Sequence, residues 1–115
     1  MKTEFEERTL CFSLAAIQLA ARFPRSMIGE VVGKQFLKAA TSIGANYREA
    51  NRAESRDNFI HKTGIAEKEA AETIYWLEIC SRGKIGPGTE AQHCLSEVNE
   101  ILAIITTINR KAKHR

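Results

Sequence analysis

The chain has 115 residues, 43% of them hydrophobic and 27% charged, with 17 basic and 14 acidic side chains. That length suits one domain with a modest core, and no apolar run approaches the roughly 18 residues that a membrane span needs. Residues 1–10, MKTEFEERTL, put three acids among the first seven positions and lack the basic and apolar regions of a secretory leader, so a cytoplasmic location is expected.

Two prolines, Pro24 in FPRS and Pro87 in GKIGPGT, sit in clusters of breakers, and everything between these clusters can be helix. The first segment, about residues 4–23, opens with Thr3 and Glu6 at capping-box spacing and stops before Pro24. The second, about 27–53, follows Ser26 as N-cap. The third, about 56–82, starts after Ser55 or Asp57 and ends at Gly83 as a C-cap. The fourth, about 90–111, has Thr89 and Gln92 at capping-box spacing and then Leu95, Val98, Ile101, Leu102, Ile104, Ile105 and Ile108 in a helical pattern. Its β-branched residues would also suit a strand, but its length without a turn signal favours helix. The expected fold is a single all-α domain over residues 1–115, an antiparallel up-down four-helix bundle. Cys11, Cys80 and Cys94 are odd in number, lack CxxC spacing and fall at positions that read as half-buried, which suits reduced thiols rather than disulfides.

On the second helix Ile28, Val32, Phe36, Ala39, Ile43, Tyr47 and Ala50 share one apolar stripe, with Asn46 inside it, so Asn46 is expected to point at the core. Gly33, Ala40 and Gly44 on one flank would let a neighbouring helix approach closely. The third helix is apolar on two sides: Phe59, Thr63, Ala66, Ala70, Ile74 and Leu77 make an interior seam, and Ile65, Trp76 and Ile79 lie opposite. The first likewise has Phe5, Phe12, Leu19 and Phe23 on one side and Leu10, Leu14, Ile17 and Ala21 on another. A second apolar face needs a cover, and self-association supplies one. The other reading is a wide core with Trp76 capping the bundle locally.

SIGANYREA at 42–50 and KEAAETIYWLEI at 68–79 resemble the motifs of the bacterial four-helix bundle family that includes proteins encoded in intervening sequences of large-subunit ribosomal RNA genes. Ser42, Ile43, Asn46, Glu49 and Ala50 match its first motif, and Ser55, Asp57 and Phe59 its second. Lys68, Glu69, Glu72, Thr73, Tyr75, Trp76 and Leu77 match its third. The likeness spans nearly the whole chain in helix order. It implies a bundle that assembles into a ring, expected as a homopentamer, with Asn46, Glu49, Lys68, Glu69, Glu72, Tyr75 and Trp76 as structural or interface residues. The family is also similar to the accessory proteins of diversity-generating retroelements, basic pentamers that bind a reverse transcriptase and nucleic acid.

Catalytic chemistry finds little footing. GEVVGKQ at 29–35 has three residues between its glycines where a phosphate loop has four, and Gln35 where that loop has a hydroxyl. His61, His93 and His114 have no metal-ligand spacing, and no metal or other cofactor is expected. Glu49, Glu69 and Glu72 are the carboxylates to inspect, but Glu72 can pair with Lys68 one turn away and Glu49 can serve Asn46 or another subunit.

Charge gives the better lead. Arg110, Lys111, Lys113 and Arg115 form a basic tail, without which the chain has 13 basic and 14 acidic groups. Such a tail can touch phosphates or complement the dipole of the last helix. Lys34, Lys38, Arg48 and Arg52 lie within about 80° of one another on the second helix. Residues 22–56 hold seven basic and three acidic groups. Repeated around an oligomer, that stripe and the tail would attract RNA or DNA. The expected function is a non-enzymatic, homo-oligomeric scaffold or adaptor, with nucleic acid or a protein as possible partners and no membrane role. Its rival is a purely structural or protein-binding oligomer that uses the second apolar faces.

Overall fold

A computed structural model describes residues 2–114. Among these, the chain forms four α-helices and no strand: α1 (Lys2–Ala20), α2 (Met27–Asn51), α3 (Arg56–Gly83) and α4 (Gly88–Lys113). Residue numbers rise along one helix as they fall along its neighbour. On α1 and α2, Phe5 meets Tyr47 and Thr9 meets Gly44. Between α3 and α4 the contacts run from Arg56 with Ala112, through Glu67 with Thr106, to Ser81 with Gln92. This is the antiparallel up-down bundle, 46 Å long and about 20 Å across. Helices of 19 to 28 residues fit that length at about 1.5 Å per residue.

One face of each helix builds the core. Phe5, Thr9, Phe12, Ala16 and Leu19 are buried on α1, and Val32, Phe36, Ala39, Ile43, Tyr47 and Ala50 on α2. From α3 come Thr63, Ala66, Ala70, Thr73, Leu77 and Cys80, and from α4 Ala91, Cys94, Val98, Ile101 and Ile105. Phe36, Ile43, Leu77, Ile101 and Ile105 are fully enclosed. Burying each stabilises the bundle by roughly 1.5–3 kcal/mol. The small residues of α2 permit close approach: a Cβ on Gly44 would stand 3.0 Å from Thr9 Oγ1.

Several helix ends depart from the sequence pattern. Ser26 and Ser55 do cap α2 and α3, each accepting a backbone N–H at 3.1 Å. Thr3, by contrast, lies inside the first turn of α1, because that helix already runs at Lys2, so Thr3 and Glu6 form no capping box. At α4 the N-cap is Pro87, and Gln92 instead donates to Ser81 Oγ at 2.8 Å. Tertiary contact has taken the side chain that a local cap would have used. Gly83 is the last residue of α3 rather than its cap; Lys84 takes the left-handed conformation at φ 56°. α1 ends at Ala20, and a tighter turn through residues 21–23 swings Phe23 into the core.

Three side chains sit elsewhere than their periodicity implies. Ile28 is 60% exposed, on an open side of α2 with Met27 and Val31, while Gly29 and Val32 of the same turns are buried. Cys11 is exposed, one position off the buried stripe of α1, whereas Cys80 and Cys94 are buried; all three are free thiols. Burial pushes the Cys80 thiol up to about 11, which keeps it protonated and unreactive at neutral pH. Asn46 is half-buried and donates one turn back to the Ser42 carbonyl at 2.8 Å. The enclosed amide is Asn109 on α4, which donates to the Ile60 carbonyl at 3.0 Å and to Thr63 Oγ1 at 2.9 Å.

Candidate nucleic-acid interface

The up-down topology brings the start of α1, the end of α2, the start of α3 and the end of α4 to one end of the bundle. Each contributes a cation. Arg48 and Arg52 occupy the last turn and C-cap of α2, where basic side chains complement the helix dipole. They line a shallow cleft of about 540 Å³ with Glu49, Asn58 and Lys62. Arg110, Lys111 and Lys113 occupy the last turn of α4 for the same reason. Arg115 lies outside the described residues. Arg56, in the first turn of α3, donates to the Ala112 carbonyl at 2.7 Å and the Lys113 carbonyl at 3.0 Å, so it satisfies groups the helix end leaves unpaired.

Acidic neighbours divide these cations into engaged and open ones. Lys62 pairs with Glu49 at 2.6 Å, and Arg48 stands 3.9 Å from Glu6. Glu49 thus bonds α3 rather than Asn46 within this chain. Arg52, Arg110, Lys111 and Lys113 are exposed and form no ion pair with the described residues. Lys34 and Lys38 continue the stripe along α2, and Lys34 lies about 27 Å from Arg52 at 1.5 Å per residue. Lys34 lines a separate 440 Å³ cleft with Arg25 and Glu30. Lys38 is exposed, and its charge opposes the rise in the Glu69 carboxyl on α3.

The third motif makes a different surface. Trp76 is half-buried against the chain's own core, meets Tyr75 edge-on at 5.3 Å and donates its indole N–H to Glu72 at 3.3 Å. Glu72 therefore bonds Trp76 where a pair with Lys68 was expected. Burial raises the Glu69 carboxyl above its ordinary value, with Glu72 adding to the rise and Lys68 and Lys38 opposing it. Tyr75 is 58% exposed. Open apolar side chains lie on α1, where Leu10, Leu14 and Ile17 are exposed, and at the start of α2, where Met27, Ile28 and Val31 are exposed. No group of three or more His, Cys, Asp or Glu among the described residues is placed to hold a metal ion. Among the described residues no helix is long and apolar enough to cross a membrane.

Two residues that organise this end were missed in the sequence. Arg56 carries no local sign that it will cap another helix. Asn109 does leave a trace, as a polar residue four positions after Ile105 on the buried stripe of α4.

Residues 2–107 match the family described as 23S rRNA-intervening sequence protein. The chain belongs to that family. No curated protein matches it. Among solved structures, it is similar to a protein of unknown function from the S23 ribosomal protein family of Bacteroides thetaiotaomicron. The two share 35% sequence identity and a TM-score of 0.84, over 91% of this chain and 97% of that one. The family match takes in α1, α2 and α3 entire and stops within α4 at residue 107, so the basic tail lies outside it.

Proposed function

We propose that this family member is a cytoplasmic, non-enzymatic scaffold that self-associates and binds RNA or DNA through the basic end of its bundle. The observation that carries the reading is the convergence of Arg48, Arg52, Arg110, Lys111 and Lys113, which are far apart in sequence, on one end. Four of the five have no ion pair among the described residues, so their fields reach solvent. Lys34 and Lys38 extend the charge along α2. Self-association is supported by the exposed row Leu10, Leu14 and Ile17 on α1, which gains from being covered. A ring of copies, the homopentamer of the resemblance, would repeat the basic end and multiply its field.

Sedimentation of the protein with and without a structured RNA, at low and high salt, tests both parts. The free protein is expected to sediment as several chains, and Leu14→Glu with Ile17→Glu to reduce it towards one. RNA should bind at low salt and weaken steeply as salt rises, by about 0.7 log units in affinity per phosphate contact for each log unit of salt on a single strand. Arg52→Glu with Lys113→Glu should lower the affinity at least tenfold. A single-chain mass for the unaltered protein would overturn self-association, and no binding at low salt would overturn the nucleic-acid role in favour of a structural or protein-binding oligomer.

A further inference from the structure

The basic end also contains an apolar cleft that the charges surround. It opens between α1 and α4, encloses about 910 Å³, and is lined by Phe5, Tyr47, Phe59, Ile104 and Ile108 beneath a polar rim. That volume lies within the roughly 300–1,000 Å³ of small-ligand sites. Phe5 and Tyr47 form a fixed floor, their rings edge to face at 4.8 Å, and the half-buried Phe59, Ile104 and Ile108 offer apolar surface to an occupant. On the rim, Lys2 is exposed and Asn51 donates to Glu6 at 2.8 Å. Arg8 is held by Glu97 and Glu100.

We infer that this cleft receives one unpaired nucleobase of a single-stranded nucleic acid, while the surrounding cations hold the phosphates on either side of it. The inference rests on the nucleic-acid reading above and deepens it by naming the class of strand. Each lining segment has a cation within four residues of a cleft residue: Lys2 on α1, Arg52 beside Asn51, Arg56 before Phe59, and Arg110 and Lys111 after Ile108. An aromatic and aliphatic slot inside a cationic surround matches a nucleotide, which has a flat apolar face and a charged backbone. Of the acids nearby, Glu4 lines the cleft, and Glu6 accepts from Asn51 at 2.8 Å and stands 3.9 Å from Arg48. A paired base would have to leave its stack to enter, at a cost of a few kcal/mol, so single strands are favoured over duplex.

The test uses the full chain and a short single-stranded RNA that carries one 2-aminopurine and an end label. Anisotropy of the end label reads binding, and 2-aminopurine emission reads the environment of that base. Expected are tighter binding than to a duplex of equal length and a change in 2-aminopurine emission on binding. Phe59→Ala, which removes a stacking ring, and Ile108→Trp, which fills the slot, should each lower affinity about tenfold. Circular dichroism checks that each variant keeps its helices, and if Phe59→Ala does not fold, Ile108→Trp decides. Binding with unchanged emission, or with unaltered affinity in the folded variants, would overturn the base cleft and leave the basic surface standing. No anisotropy change at low salt would overturn both.

Discussion

The two ends of this bundle are closed by different physics. At one end the turns of the two hairpins lock together: Phe23, from the α1–α2 turn, packs at 6.1 Å from Phe36 and against Gly86 of the α3–α4 turn. Gly86 has φ 76°, and a Cβ there would stand 2.6 Å from the Phe23 ring; a Cβ on Gly29 would overlap the Pro24 carbonyl oxygen. Among the described residues the other end has no such wedge, and the helices are joined by the Arg56 cap, the Lys62–Glu49 pair and the buried Asn109 bonds, with an open cleft between α1 and α4. The wedged end keeps the smaller cleft, about 440 Å³, lined by Phe23, Gly29 and Lys34. Closure by polar bonds leaves charges and a cavity facing solvent, and the candidate interface lies there.

Substitutions should separate the two ends. The largest effect is expected at the packed one: Gly29→Ala must displace the turn backbone, and Gly86→Ala adds left-handed strain to a clash. Each should cost about 3 kcal/mol in urea denaturation without altering nucleic-acid affinity once folded. An intermediate loss belongs to Asn109→Ala, about 1–2 kcal/mol, since it breaks two bonds to α3 but leaves the Thr63 hydroxyl its own donation to the Phe59 carbonyl. A loss as large as that of the glycine variants would mean that the polar end is as tightly closed as the other.

The smallest effect concerns the half-exposed pair that ties α1 to α4. Arg8 donates to Glu97 at 2.7 and 2.8 Å, and this bonding holds the Glu97 carboxyl below its ordinary value. A carboxyl with a lowered folded pKa stabilises the fold above its unfolded value near 4.3 and loses that contribution as pH falls through the folded one. Glu97→Gln should therefore cost roughly 0.5 kcal/mol at pH 7 after solvent screening, and the difference from the unaltered protein should shrink at an acid pH, where the Glu97 carboxyl takes up its proton. Denaturation midpoints at the two pH values check this, and a gap that persists in acid would assign it to packing.

Much of the fold was legible because it follows from local rules. The period of Val32, Phe36, Ala39, Ile43, Tyr47 and Ala50 marks a buried helical face, and the serines at 26 and 55 bring their own cap bonds. Gly44 was readable as a close-packing position for the same reason. The basic residues of the candidate site could be named, but not their company. The charge of Lys38 reaches Glu69 and Arg48 stands beside Glu6, pairings made across 31 and 42 positions of chain. Asn46 was misplaced because a wide stripe does not say which of its edges a neighbour covers, and a half-buried amide can satisfy itself one turn back.

Sequence by itself determined four amphipathic helices, their order, the turns at the prolines and the family motifs, since each depends on residues within a turn or two of one another. Tertiary structure alone decided that Asn109 is the enclosed amide, that Thr89 and Gln92 give up their cap, that Arg56 closes α4, and that the cations gather around an aromatic cleft. These depend on which helices become neighbours and at what register. Periodicity fixes the face that a helix buries, whereas the partner across that face is chosen by the packing of the whole bundle.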